Sequence, residues 1–77
     1  MKSNKIKALL KIKEISNIEC FKFLKLASQQ SLSNKFKNES FSADDLIKIS
    51  ELTDTTLAFI DNKNNNVLIK FDKTDLK

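Results

Sequence analysis

The chain has 77 residues, with 14 lysines against 10 acidic residues for a net charge of +4, one cysteine, and no His, Gly, Pro or Trp. One cysteine and no histidine exclude a disulfide and a zinc site, so no metal or cofactor is expected. No apolar run approaches the ~20 residues of a membrane-spanning helix.

This length predicts a single domain over residues 1–77, burying only about 60–65% of its unfolded surface. A core of that size supplies roughly 3–5 kcal/mol, so a partner copy is expected to add stability. A lone cysteine fits a reducing compartment, and the N-terminus has no signal-peptide core, so a cytoplasmic protein is expected.

With no Gly or Pro, the elements must be read from caps and periodicity. Ser3 is placed to cap a first helix whose apolar face is Ile6, Leu9 and Leu10, completed by Ile12 or Lys13, and which ends near Glu14. Ser16-Asn17-Ile18-Glu19 has capping-box spacing and opens a short second helix carrying Cys20, Phe21 and Leu24. Lys25-Leu26-Ala27 is long enough only for a tight turn. Ser28 then caps a third helix that runs to about Lys37, with Leu32 and Phe36 four residues apart as its inner face.

Asn38-Glu39-Ser40 is a loop. Ser42 caps a fourth helix with Asp45 at its third position, and Phe41 and Leu46 have the spacing of a hydrophobic staple. Asp44 and Asp45 complement the positive end of the helix dipole. The helix presents Leu46, Ile47, Ile49 and Leu52 and stops near Thr53. Thr56–Ile60 and Val67–Phe71 are then rich in β-formers, and the Asn-rich segment 61–66 joins them as a hairpin. Residues 72–77 are expected to fray. The fold class is mainly α with a C-terminal β-hairpin, a helical part over 3–53 and a hairpin over 56–71.

The charge is unevenly spread. Residues 1–37 carry nine lysines against Glu14 and Glu19, a net +7, whereas residues 38–77 carry five lysines against eight acids, a net −3. A one-sided basic field is what a phosphate-binding surface requires. The third helix lies in the basic half. It has no acid, and its outward residues are Gln, Ser, Asn and Lys, the side chains that face base edges and phosphates.

Two short helices joined by a tight turn, the second polar and capped, read as a helix-turn-helix. In that motif the second helix enters the major groove with its N-terminal end at the bases. The residues there are Gln29, Gln30, Ser33 and Asn34, and Gln and Asn each pair in bidentate fashion with adenine.

Residues 5–53 resemble the Cro/CI (XRE-type) helix-turn-helix family of phage and bacterial regulators. Ser28-Gln29-Gln30-Ser31-Leu32 is similar to the start of the recognition helix in lambdoid repressors. Ser28 through Ile60, with Ser40-Phe41-Ser42-Ala43-Asp44-Asp45-Leu46-Ile47-Lys48-Ile49 and Leu57-Ala58-Phe59-Ile60, looks like a subgroup of small Firmicute-type regulators. The chain departs from the family in the second helix and the turn. Lys25 stands about where the family has Gly, and Lys22, Phe23 or another larger residue where it has a small Ala.

The resemblance implies a four-helix Cro/repressor-like domain that reads bases through Gln29, Gln30 and Asn34, with Ser33 as a further reader. It implies phosphate contacts from Asn17, Ser28, Lys35, Lys37, Asn38, Ser40 and Ser42. The expected partner is double-stranded DNA with an inverted-repeat, A·T-leaning operator, because the readers are amides and the chain has no Arg.

The last strand is apolar on both faces apart from Lys70, so its edge is expected to pair with a second copy through Val67, Ile69 and Phe71. No catalytic set is present, because nothing orients or desolvates a nucleophile. The expected function is therefore a dimeric transcriptional repressor of phage or mobile-element type. The alternative is a protein-binding module on the same fold, such as an inhibitor of a host system or an antitoxin-like partner.

Overall fold

The computed structural model describes residues 2–76. Four helices come first: α1 (Lys2–Ile12), α2 (Asn17–Phe23), α3 (Gln29–Asn38) and α4 (Ala43–Leu52). The strands β1 (Leu57–Ile60) and β2 (Val67–Phe71) follow as an antiparallel pair, and a 3₁₀ turn spans Lys73–Asp75. The architecture is mainly helical with a two-stranded sheet, as the sequence predicts.

Three helices start where a serine can accept a backbone N–H. The Ser16, Ser28 and Ser42 hydroxyls accept from Glu19, Ser31 and Asp45 at 3.2, 3.3 and 3.1 Å. Glu19 and Asp45 return the bond to the cap residue's own N–H, closing two capping boxes. Each such cap stabilises its helix by about 1 kcal/mol.

Ser3 behaves differently from its expected role. It lies inside the first turn of α1, buried, and its hydroxyl donates to the Phe36 carbonyl at 2.7 Å. Its own N–H donates to the Glu39 carboxylate at 3.3 Å. The start of α1 and the end of α3 thus satisfy each other's unpaired backbone groups.

Every helix stops on a left-handed residue, and none of these is glycine. Glu14, Lys25, Glu39 and Asp54 have φ of 57°, 58°, 52° and 54°. After α1, α2 and α4 the stop carries paired reversal bonds, such as Leu26 N–H to the Phe21 carbonyl and Lys25 N–H to the Lys22 carbonyl, both 3.0 Å. A side chain with a Cβ costs about 1–2 kcal/mol in this conformation. The buried helix faces must supply that energy.

The core is formed by Ile6 and Leu10 of α1, Cys20 of α2 with the adjoining Leu24, Leu32 and Phe36 of α3, and Ile49 of α4. Cys20 has no exposed surface. The expected contribution of Ile12 or Lys13 to the α1 face is not realised. Ile12 is 76% exposed, because six residues beyond Ile6 the 100° step carries it to the opposite side. Lys13 lies past the helix end and is exposed as well.

In the hairpin Leu57 faces Phe71 and Phe59 faces Ile69. The register then shifts by one, so that Ile60 faces Val67 and Leu68 has no opposite residue. Asn65 supplies the left-handed turn position at φ 61°. Within the tail that is expected to fray, Lys73–Asp75 form the 3₁₀ turn, with Asp72 as its cap. The Asp72 carboxylate accepts from Thr74 N–H and Asp75 accepts from Asp72 N–H, and the turn packs against α4. Lys77 lies outside the described residues.

Candidate nucleic-acid interface

The geometry centres on α3. Leu32 and Phe36 fix it to the core, and Phe36 meets Phe41 edge-on with ring centroids 5.2 Å apart. The opposite side of the helix faces solvent. Gln29, Gln30, Ser33, Asn34, Lys37 and Asn38 are all exposed. At 100° per residue Gln30, Ser33, Asn34 and Lys37 form one continuous strip, with no acid anywhere on the helix.

Two of the expected base readers are joined. The Gln30 amide nitrogen donates to the Asn34 amide oxygen at 3.1 Å. The pair keeps the Gln30 carbonyl oxygen as an acceptor and the Asn34 NH2 as a donor for a partner, and the second hydrogen of the Gln30 NH2 is also uncommitted.

The turn that seats α3 closes without glycine. Lys25 adopts the left-handed conformation itself, and Leu26 folds back half-buried against the core. Lys22 and Phe23 do not fill the contact of α2 with the rest of the domain, since both are exposed. Cys20 fills it instead, as a small residue fully buried in the cluster that contains Leu32 and Phe36.

The expected phosphate contacts divide into two groups. Asn17, Ser28, Lys37, Asn38 and Ser40 are exposed, although the Ser28 hydroxyl already accepts the Ser31 N–H. Lys35 and Ser42 are engaged elsewhere. The Lys35 ammonium lies 2.7 Å from Asp45 Oδ2, and that oxygen also accepts the Ser42 N–H at 3.0 Å. Burial pushes the Asp45 carboxyl up, but hydrogen bonds from Lys35 and Ser42, with the Lys35 charge, outweigh it and hold Asp45 below the usual carboxylate range. The first turn of α4 thus presents Asp44 and Asp45 where a phosphate would need positive charge. The Lys35–Asp45 pairing joins residues on different helices, and nothing in the helix-3 pattern signals it.

Lys7 is a residue the sequence reading missed. Its ammonium sits 5.2 Å from the Phe36 ring centroid, so α1 brings a lysine alongside α3. Its signal was one of several lysines on an exposed helix, with nothing to mark it out.

The hairpin carries the other candidate surface. Val67 and Ile69 are 54% and 57% exposed, but Phe71 is half-buried and packs edge-on against Phe59 at 5.9 Å. The expected trio is therefore split. The exposed apolar set also includes Phe59, Ile60 and Leu68. A groove of about 540 Å³ separates the hairpin from α4, with Leu46, Ile47, Leu57 and Phe71 on its walls and Asp44 and Asp75 on its lining.

Among the described residues no helix is long and apolar enough to cross a membrane, and no group of three or more His, Cys, Asp or Glu side chains is placed to hold a metal ion. No protein family, curated protein or solved structure matches this chain.

Proposed function

We propose that the protein binds double-stranded DNA, with α2 and α3 as a helix-turn-helix of Cro/CI type and α3 lying in the major groove. One observation carries this reading: a solvent-facing strip of amides, a hydroxyl and a lysine, free of acids, on a helix held to the core by Leu32 and Phe36. Gln29, Gln30 and Asn34 read base edges, with Ser33 beside them. Lys37, Asn38, Ser40 and Asn17 meet phosphates. A cap and two buried anchors give the helix the rigidity that base reading needs.

The hairpin makes the protein a dimer. Its exposed apolar side chains and free β2 edge favour pairing with a second copy. Reading an inverted repeat would require the two-fold axis there to place the two α3 helices about 34 Å apart, one turn of B-DNA. The proposed role is repression of transcription, with the DNA upstream of its own reading frame as the first operator to test.

The same exposed hairpin also favours a second reading, a module that docks on another protein. A gel shift separates the two. The DNA reading expects a discrete complex on the upstream DNA that survives random duplex competitor. Replacing Gln29 and Gln30 together by Ala should remove about 2–5 kcal/mol of base readout and leave random-duplex binding nearly unchanged. Equal loss on both DNAs would remove the two glutamines as readers. A folded dimer with no complex would favour the protein-docking reading.

A further inference from the structure

Among the described residues, only one of the two lysines in the last turn of α3 is without a carboxylate partner. Lys37 is exposed, whereas the Lys35 side chain is 23% exposed with its ammonium on Asp45 and 6.0 Å from the Phe41 ring centroid. Asp45 is in turn fixed from three sides. Its Oδ2 holds Lys35 and the Ser42 N–H, its backbone N–H is bonded to the Ser42 hydroxyl, and its side chain is 12% exposed.

A capping residue needs only an acceptor oxygen, and an uncharged side chain would still accept the Ser42 N–H, with a weaker bond and less help from the helix dipole. The negative charge of Asp45 therefore does something the cap does not require. It neutralises a cation on the helix that carries the candidate DNA surface. Non-specific affinity for DNA comes almost wholly from cations meeting phosphates, while base contacts are indifferent to it. A cation withheld from the backbone lowers affinity for all sequences alike and leaves base readout untouched.

We infer that Asp45 is a positioning residue that limits the affinity of this protein for the DNA backbone by holding Lys35 out of the phosphate-binding set. This rests on the DNA reading of α3. Approach of a phosphate to Lys35 requires breaking a short, largely buried ion pair and leaves the Asp45 carboxylate without its cation. Among the described residues Lys37 has no carboxylate partner, and it is the α3 cation left for the backbone.

The test measures binding of the intact protein to a random-sequence duplex by fluorescence anisotropy between 50 and 300 mM KCl. Asp45→Asn, which keeps an acceptor for Ser42, should tighten binding several-fold and steepen the log–log salt slope by about 0.9. Lys35→Met should keep the wild-type slope. The double variant should lose the gain of Asp45→Asn, which a merely structural role of Asp45 would not produce. An unchanged slope in Asp45→Asn, or a flatter slope in Lys35→Met, overturns the inference.

Lysine acetylation of the wild-type protein needs no variant to fold. Lys35 should react many-fold more slowly than Lys37 in the free protein, and DNA should slow Lys37 alone. Equal reactivity of the two lysines, or protection of Lys35 by DNA, overturns the inference. If the wild type shows no salt-dependent DNA binding, the DNA reading fails and this inference with it. If the wild type binds and only the variant expectations fail, the DNA reading stands.

Discussion

The Ser3 hydroxyl donates to the Phe36 carbonyl at 2.7 Å, across 33 residues of sequence. That carbonyl belongs to the last turn of α3, where the helix has no partner of its own to offer. One small side chain from α1 therefore closes the C-terminal end of the helix on which the candidate interface is built. Replacing Ser3 by Ala leaves a buried acceptor unpaired and should cost about 1–2 kcal/mol. Urea unfolding followed by circular dichroism checks this, with exposed Asn4→Ala as the control that should stay near wild type. A Ser3→Ala midpoint equal to that of the control would show that the bond contributes nothing.

The left-handed stops make a second prediction. Glu14 and Asp54 are exposed and have φ of 57° and 54°. Glycine removes the Cβ clash at these positions, offset in part by its greater freedom in the unfolded chain, for a net gain of about 0.5–1 kcal/mol each. Thermal melts of Glu14→Gly and Asp54→Gly should rise by several degrees, at about 4–8 °C per kcal/mol for a domain of this size. Glu39→Gly should show no such gain, because the Glu39 carboxylate accepts the Ser3 N–H. Three equal gains would mean that the Ser3–Glu39 contact is idle.

Acid should weaken the protein through Asp45. Its folded-state pKa is depressed, so the unfolded chain takes up the proton first as the pH falls. The stabilisation is fully present above the unfolded carboxylate value of about 3.9 and is lost as the pH drops through the folded value. Denaturant midpoints measured from pH 6 down to pH 2 should fall more steeply in the wild type than in Asp45→Asn. The excess loss should lie below about pH 4. Parallel curves would show that the Lys35–Asp45 pair has no linkage to folding.

The hairpin dimer can be broken by one charge. Ile69 is 57% exposed on a strand with a free edge. Light scattering should give twice the 8.8 kDa chain mass for the wild type and the single-chain mass for Ile69→Asp. A dimer that survives the substitution would place the contact on another surface.

Three helix starts were legible because a cap is local: Ser16, Ser28 and Ser42 each bond a residue three positions ahead, and for Ser16 and Ser42 the acids that return the bond are visible in the same window. Leu32 and Phe36 were legible for the same reason, through the helical repeat. The 3₁₀ turn was missed although its Asp72-x-x-Asp75 box is equally local, since a terminal position outweighed the cap signal. Ser3 and Lys35 could not be placed from the sequence. Their partners, Phe36 and Asp45, lie on other helices, and a Ser near a helix start or a Lys on a polar helix has a commoner local use. The turn before α3 was legible as a turn, but not its backbone, because a lysine at a left-handed stop goes against its own preference.

Cys20 has no exposed surface, and burial pushes its thiol up from the ordinary range. A sulfur in that position is silent toward aqueous reagents while α1, α2, α3 and α4 stay closed around it, since it sits in the cluster that all four helices share. Labelling of this one thiol therefore counts openings of the helical core, with no second cysteine to blur the signal. The molecule carries its own stopwatch for breathing.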